Sequence, residues 1–313
     1  MSFYPVGAVT LSLTLVTTLF GNILVLFLLY KPERRLLKRP LYIFIVNICV
    51  ADIAVVVFSM SFKVIDEIGE DWLFGSAMCK IVEFSQRALF RVNVLSHLFI
   101  ASDRYYSVVF PLQPQMTRKK AKRMIQASWT FSLLFSIPFV FEFDAETKED
   151  VRICKLVGLP WLWLEKLHTA IDLFLCFLVP LGILLWIYGR IIWSLNLRKR
   201  QSTDIGSMNA TLNTIRASIR GVRVSVIVVI VFVICWIPVI AKGFSRLKKH
   251  GVHTNRTDPL YATAMYFAFF NVALVPLLYC GLDINLQPAA KRLFRCFPVE
   301  ESEGSSDEEG ARN

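Results

Sequence analysis

Charge is scarce in this chain, and the signatures of several large functional classes are missing. Charged residues make up only 19% of the 313, against 55% hydrophobic, a balance that a water-facing surface does not tolerate easily. No two of the seven cysteines form a CxxC pair. Their dispersal through apolar stretches excludes a disulfide-dense scaffold and a zinc module, so most should be small packing residues within helices. HExxH, GxSxG, Walker A and glycine-rich dinucleotide patterns are absent, and no enzyme is expected. Nothing repeats at a fixed period, and no second soluble domain is visible. The net charge of +11 is not arranged as a zinc finger, RRM or helix-turn-helix, so nucleic acid is not an expected partner.

What is present is apolar and long. Residues 8–30, 41–60, 127–143, 170–189 and 224–241 approach or exceed the roughly 20 residues that cross a bilayer. Two less pure segments, Cys79 to Phe110 and Leu260 to Leu282, bring the expected spans to seven. Met1 to Thr10 has no basic region of the kind that opens a signal peptide, so the first run reads as a span. Basic residues crowd alternate connections: Lys31 to Arg39, Arg118 to Arg123, Arg198 to Arg200 and Lys291 to Arg295. Positive loops stay inside, which puts the N-terminus outside and the C-terminus in the cytoplasm. The connection holding Lys242, Arg246, Lys248, Lys249 and Arg256 dissents and is outvoted.

The expected organisation is a short outer segment (1–7), a seven-helix membrane domain (8–282), an amphipathic surface helix (283–297) and an acidic disordered tail (298–313). On the surface helix Leu286, Leu293, Phe294 and Phe297 can face lipid while Lys291, Arg292 and Arg295 meet headgroups. Cys296 is a candidate for palmitoylation, Asn255 for glycosylation, and Ser302, Ser305 and Ser306 for phosphorylation. Pro180, Pro238 and Pro276 each free a helix carbonyl and admit a bend. Asp52 is read as the one deeply buried carboxylate, in need of a partner, a proton or an ion.

The third span ends in Asp103, Arg104 and Tyr105, followed by Pro111 and Leu112. With Gly21, Asn22 and Val25, Asn47 and Asp52, Trp72 and Cys79, Trp129 and Pro138, Pro180 and Tyr188, the Phe232, Cys235, Trp236, Pro238 series, and Pro276 with Tyr279, the chain resembles the rhodopsin-like (class A) G protein-coupled receptors over nearly its whole length. The resemblance implies an all-α membrane protein, a seven-transmembrane helix bundle with a short amphipathic eighth helix. In such a bundle an outside ligand opens an inner cavity to a heterotrimeric G protein, with receptor kinases and arrestin as further partners. It also implies a sodium ion and waters around Asp52, Asn22, Asn93, Trp236 and Asn271, with helix-to-helix hydrogen bonds as the alternative use of Asn93 and Asn271. Trp236 would be a toggle above Phe232, Pro180 and Val94, and Tyr279 could swing towards Tyr188. Cys79 and Cys154, both on the outer side, are the pair expected to bridge.

Two departures stand out. Val275 occupies the place where the family usually carries asparagine, removing a polar link to Asp52 and putting sodium binding in question. Ser218, among Arg216, Arg220 and Arg223, replaces the acid that in some members pairs with Arg104, which suggests ligand-independent signalling. For the ligand, the outer halves offer Lys63, Asp66, Glu67, Glu83, Gln86, Arg87, Asp172, Lys242 and Arg246, with Trp236 and Phe269 beneath. Mixed charge suits a short peptide, and the brief outer segment speaks against large protein ligands. A small amine or other charged metabolite stays open through Glu83 or Asp172, as do a non-signalling decoy and, more distantly, a seven-helix transporter.

Overall fold

Inside a bilayer every backbone polar group must find its partner within the protein, so long apolar runs fold as helices. The computed structural model describes residues 4–30, 36–69, 71–148, 150–204, 208–248, 259–283 and 285–295. In chain order, α1 is Tyr4–Tyr30. Helix α2 joins Pro40–Val55, a π-helical turn Val56–Met60 and Ser61–Gly69. Helix α3 is Gly75–Val109, and α4 joins Arg118–Ser136 to a last turn, Phe139–Glu142. An antiparallel hairpin follows, β1 Phe143–Lys148 and β2 Val151–Leu156, the one addition to an otherwise helical chain among the described residues. Helix α5 joins Leu162–Leu173, a π-helical turn Phe174–Leu178 and Val179–Asp204. Helix α6 is Met208–Lys248, α7 is Pro259–Leu282 and α8 is Leu286–Arg295.

Six described helices are long and apolar enough to cross a membrane. Helix α3, the seventh, is 35 residues long and carries Lys80, Glu83, Arg87 and Arg91 in its first half, which dilutes its hydropathy. Those charges are tolerable because α3 packs against α2, α4 and α5 and offers its ions to partners there. The protein is a multi-pass, seven-helix membrane protein. The hydroxyls of α1 close on their own helix: Thr10, Ser12, Thr14 and Thr18 donate to carbonyls four residues back at 2.7–2.8 Å.

Two seams register the bundle. Asn47 of α2 donates to Ser96 of α3 at 2.8 Å and accepts from the Trp129 indole of α4 at 2.9 Å, joining three helices at one point. Between α1 and α7, Gly21 lies so close to Pro276 that an added Cβ would stand 2.9 Å from the ring Cγ. A proline ring cannot swing away. Gly21→Ala is therefore expected to lower stability by about 1–3 kcal/mol through overpacking, read as an earlier thermal midpoint of the solubilised protein; an unchanged midpoint would refute the close fit.

The surface helix is described over Leu286–Arg295, and one of its residues faces the other way from the expectation. Leu286 is buried in the core with Tyr42, Tyr279 and Ala290 rather than turned to lipid. Asp283 explains this: its carboxylate accepts from the backbone N–H of Asn285 (2.9 Å) and Leu286 (3.0 Å), capping α8. Tyr42 donates to the same oxygen at 3.3 Å, so the start of α8 is pinned beneath α2. Leu293 is partly buried against the same core; the side chains of Phe294 and Arg295, all of Phe297, and the candidate modification sites Asn255, Cys296, Ser302, Ser305 and Ser306 lie outside the described residues.

Candidate functional site

A cavity opens at the end of the bundle that carries the hairpin. Its empty space, open solvent at the mouth included, is about 1040 Å³. The bridge expected between Cys79 at the start of α3 and Cys154 on β2 is formed, and it holds the hairpin against α3. Trp72 donates its backbone N–H to Arg152 at 2.8 Å, and Arg152 donates to the Asp71 carboxylate at 2.7 Å, so the same strand is tied a second time.

The floor is aromatic. Trp236 meets Phe90 edge-on at 5.4 Å, Phe177 at 4.9 Å and Phe232 at 5.6 Å, with Val94 in the same cluster. The π-helical turn in α5 brings Phe177 to the cavity and Cys176 to Arg91. The turn in α2 brings Ser59 to donate to Gln86 at 2.9 Å. Neither turn is signalled by a proline within it, and hydropathy does not show them.

Of the eleven residues offered for the ligand, Gln86, Arg87, Asp172, Trp236, Lys242 and Arg246 line the cavity. Lys63, Asp66, Glu67, Glu83 and Phe269 are not in its lining. Lys63 donates to Glu83 at 2.6 Å with both side chains almost wholly buried, and Arg87 reaches the other oxygen of Glu83 at 3.6 Å. Phe269 is fully buried against Phe90 at 5.8 Å.

Asp52 is not the only deeply buried carboxylate, because Glu83 and Glu142 are also fully inaccessible. Helices hide such groups beside a cation or another polar partner. Glu142 closes α4 and pairs with His168 and, at 3.5 Å, with Arg246. Arg246 also reaches Glu165 at 3.3 Å. Arg91, 4% exposed, donates to Asp172, Ser136 and the Cys176 sulfur, with the rings of Phe135 and Phe139 each 5.2 Å from its guanidinium. Sequence reading passed over Arg91, His168 and Glu142; the available signal was a charge inside an apolar stretch, which demands a partner that the sequence does not name.

Below the cavity lies a polar core. The Asp52 carboxylate accepts from Asn93 at 2.7 Å, and Asn22 donates to the Thr18 carbonyl at 2.9 Å. The second oxygen of Asp52 and the amide oxygens of Asn22, Asn93 and Asn271 are buried without hydrogen-bond partners among the described residues. One carboxylate and three neutral oxygens are a donor set that suits a hard monovalent cation with waters. Val275, 2% exposed, packs into an apolar cluster and adds nothing to that set.

At the opposite end Arg104 pairs with its neighbour Asp103. Tyr105 packs on Trp186 at 5.5 Å, Pro111 is exposed and Leu112 is almost completely so. The Tyr279 hydroxyl is buried without a partner among the described residues, and Tyr188 is buried with Val222 and Val229. Pro238 and Pro276 lie within α6 and α7, while Pro180 follows directly on the π-helical turn of α5. The side chains of Arg216, Ser218 and Arg220 are outside the described residues.

Among known proteins, the chain is 28% identical over 281 residues to the "Probable G-protein coupled receptor 19" of Rattus norvegicus, covering 88% of this chain and 64% of that receptor. The chain thus spans a little under two thirds of the length of that relative. It is 25% identical to the "Substance-K receptor" of Bos taurus, over 93% of this chain and 75% of the relative. It is 25% identical to the "Neuropeptide S receptor" of Mus musculus, over 89% and 77%. The family described as "7 transmembrane receptor (rhodopsin family)" matches residues 21–279, from the glycine that packs on Pro276 to the buried tyrosine of α7, and the chain belongs to that family.

Proposed function

We propose that this protein is a plasma-membrane receptor, N-terminus outside, that binds a short extracellular peptide and activates heterotrimeric G proteins. The observation that carries the reading is the cavity: open at the disulfide-tied end, floored by Trp236, and walled by ionic side chains from α3, α5 and α6. Two relatives that cover most of this chain are, by name, receptors for substance K and neuropeptide S, which favours a peptide. An amine ligand is less well served, since Glu83 is held by Lys63 and Asp172 by Arg91. Binding that draws Trp236 with Phe177 and Phe90 moves α6 about Pro238, where the helix lacks a backbone donor. Such a shift opens the far end around Arg104, Tyr105, Tyr188 and Tyr279, with Asp103, Pro111 and Leu112 forming the G protein contact. Asp52, Asn22, Asn93 and Asn271 would hold a sodium ion when one is bound, supplying a charge that steadies the polar core. Receptor kinases and arrestin then act from the same inner side.

The test is nucleotide exchange on a panel of purified G proteins by the receptor in nanodiscs. Basal exchange above that of empty nanodiscs is expected, because Arg104 is paired only to its own helix neighbour among the described residues. Arg104→Ala should reduce exchange at least roughly tenfold, the effect of losing a charge-assisted contact of about 1.5–3 kcal/mol. Exchange by no G protein, basally or with a peptide library, would leave a decoy receptor as the better reading.

A further inference from the structure

The charges of the cavity are unevenly disposed. Among the described residues Arg87, Arg91, Lys242 and Arg246 line it as full cations, against the single carboxylate of Asp172. The other acids nearby are in ion pairs: Glu83 and Glu142 are fully buried, and Glu165 is paired with Arg246. The Nε atoms of Arg87 and Arg246 have no acceptor among the described residues.

The cations are also not equivalent. Arg91 is neutralised by Asp172 and sealed by Phe135 and Phe139. Arg87 is a quarter exposed, and its guanidinium lies over the rings of Phe139 at 5.2 Å and Phe143 at 5.8 Å, which orient it without neutralising it. Its nearest acid, Glu83, lies 3.6 Å away and is already hydrogen-bonded to Lys63. On α3 the next aromatic, Phe90, is three residues beyond Arg87, about 4.5 Å along the helix axis. Phe90 in turn touches Trp236.

The geometry points to a ligand that carries a carboxylate beside an aromatic or bulky aliphatic group. The acid is received by Arg87 and Arg246, and the apolar group lies on Phe90, Phe177 and Trp236. Arg87 and Phe90 are one helical turn apart on α3, so a peptide ending in a hydrophobic residue with a free α-carboxylate fits, as does a small aromatic acid. This assignment rests on the cavity being the ligand site, as proposed above. Its specificity is set by Arg87: an amide in place of the acid leaves the guanidinium with a neutral acceptor, and an ammonium meets like charge.

The experiment uses the full chain in nanodiscs and measures direct binding by ligand-observed NMR and by thermal shift. The probes are N-acetyl-L-phenylalanine, its carboxamide and phenethylamine. A second arm compares Ala-Ala-Phe as free acid with its amide, and with Ala-Glu-Phe amide, to separate a terminal carboxylate from a side-chain one. The acids are expected to bind at least roughly tenfold more tightly than the amides, as loss of a charge-assisted hydrogen bond implies, and phenethylamine more weakly still. Arg87→Gln with Arg246→Gln should abolish the preference, and Arg87→Lys with Arg246→Lys should retain it in a protein of unchanged thermal midpoint. Equal binding of amide and acid, preference for the amine, failure of every acid to bind, or a preference surviving in the double glutamine variant would overturn the assignment. Acid-selective binding without any G protein exchange would instead overturn the signalling reading and leave this one standing. Exchange driven by a cationic or neutral ligand would do the reverse.

Discussion

Asp172→Ala is expected to destabilise the folded protein by about 3–5 kcal/mol, the cost of leaving a buried ion without its partner. Arg91 is 4% exposed, and its remaining partners, Ser136 and Cys176, are neutral. The lower end of that range applies, because Arg91 borders the cavity and water can reach part of it. The informative comparison is the double variant Arg91→Met with Asp172→Leu. Burying two ions is itself expensive, so apolar side chains of similar length should recover most of the stability lost in the single variant. Thermal midpoints of the solubilised proteins decide it. A double variant no better than Asp172→Ala would mean that α3 and α5 depend on this ion pair for more than charge compensation.

Loss of the disulfide should rank beside it. Cys79 and Cys154 are 75 residues apart in sequence, and closing a loop of that size restricts the unfolded chain by about 4.5 kcal/mol at 25 °C in the chain-entropy account. This is a ceiling here, since α3 and α4, which lie in the loop, remain inserted in lipid when packing is lost and are already restricted. The folded state keeps other ties to the hairpin, including the Lys80 to Asp144 ion pair at 3.4 Å and the Ser76 hydroxyl on the same carboxylate. Cys79→Ala with Cys154→Ala should therefore lower the thermal midpoint and raise hydrogen exchange across β1 and β2, while the seven helices persist. A reducing agent should reproduce the loss in the parent protein and add nothing in the double variant. An additional loss in the double variant under reduction would show that the agent acts elsewhere.

The legibility of this molecule in its sequence differs from element to element. Helices α1, α2, α4, α5 and α6 were marked by apolar runs, because lipid excludes every other backbone arrangement that a run of that length could adopt. Helix α3 was marked more by its ends, Cys79 and the Asp103, Arg104, Tyr105 triplet, since its own charges spoil the hydropathy. The pairing of Cys79 with Cys154 was expected on the resemblance and is present. Glu142 was passed over: a carboxylate at the edge of an apolar run looks solvent-facing until His168 and Arg246 are brought beside it. Leu286 was assigned to lipid because helical spacing gives a face but not a direction, and the Asp283 cap turned that face towards the bundle.

By itself the sequence determined a membrane protein of seven helices in a known order, with its polar core residue Asp52, its Asp103, Arg104, Tyr105 end and its departure at Val275. Those features are local: each depends on a residue's own chemistry and on neighbours within a few turns. Only the tertiary structure decided which charges cancel. Lys63 with Glu83 lie 20 residues apart, Arg91 with Asp172 81 apart, and Arg246 with Glu142 104 apart. An ion pair forms wherever helix packing brings opposite charges within a few ångströms in a medium of low dielectric, whatever their separation along the chain. That packing places Arg87 and Arg246 in the cavity lining and buries Glu83 and Glu142, a disposition that the count of charged residues does not give.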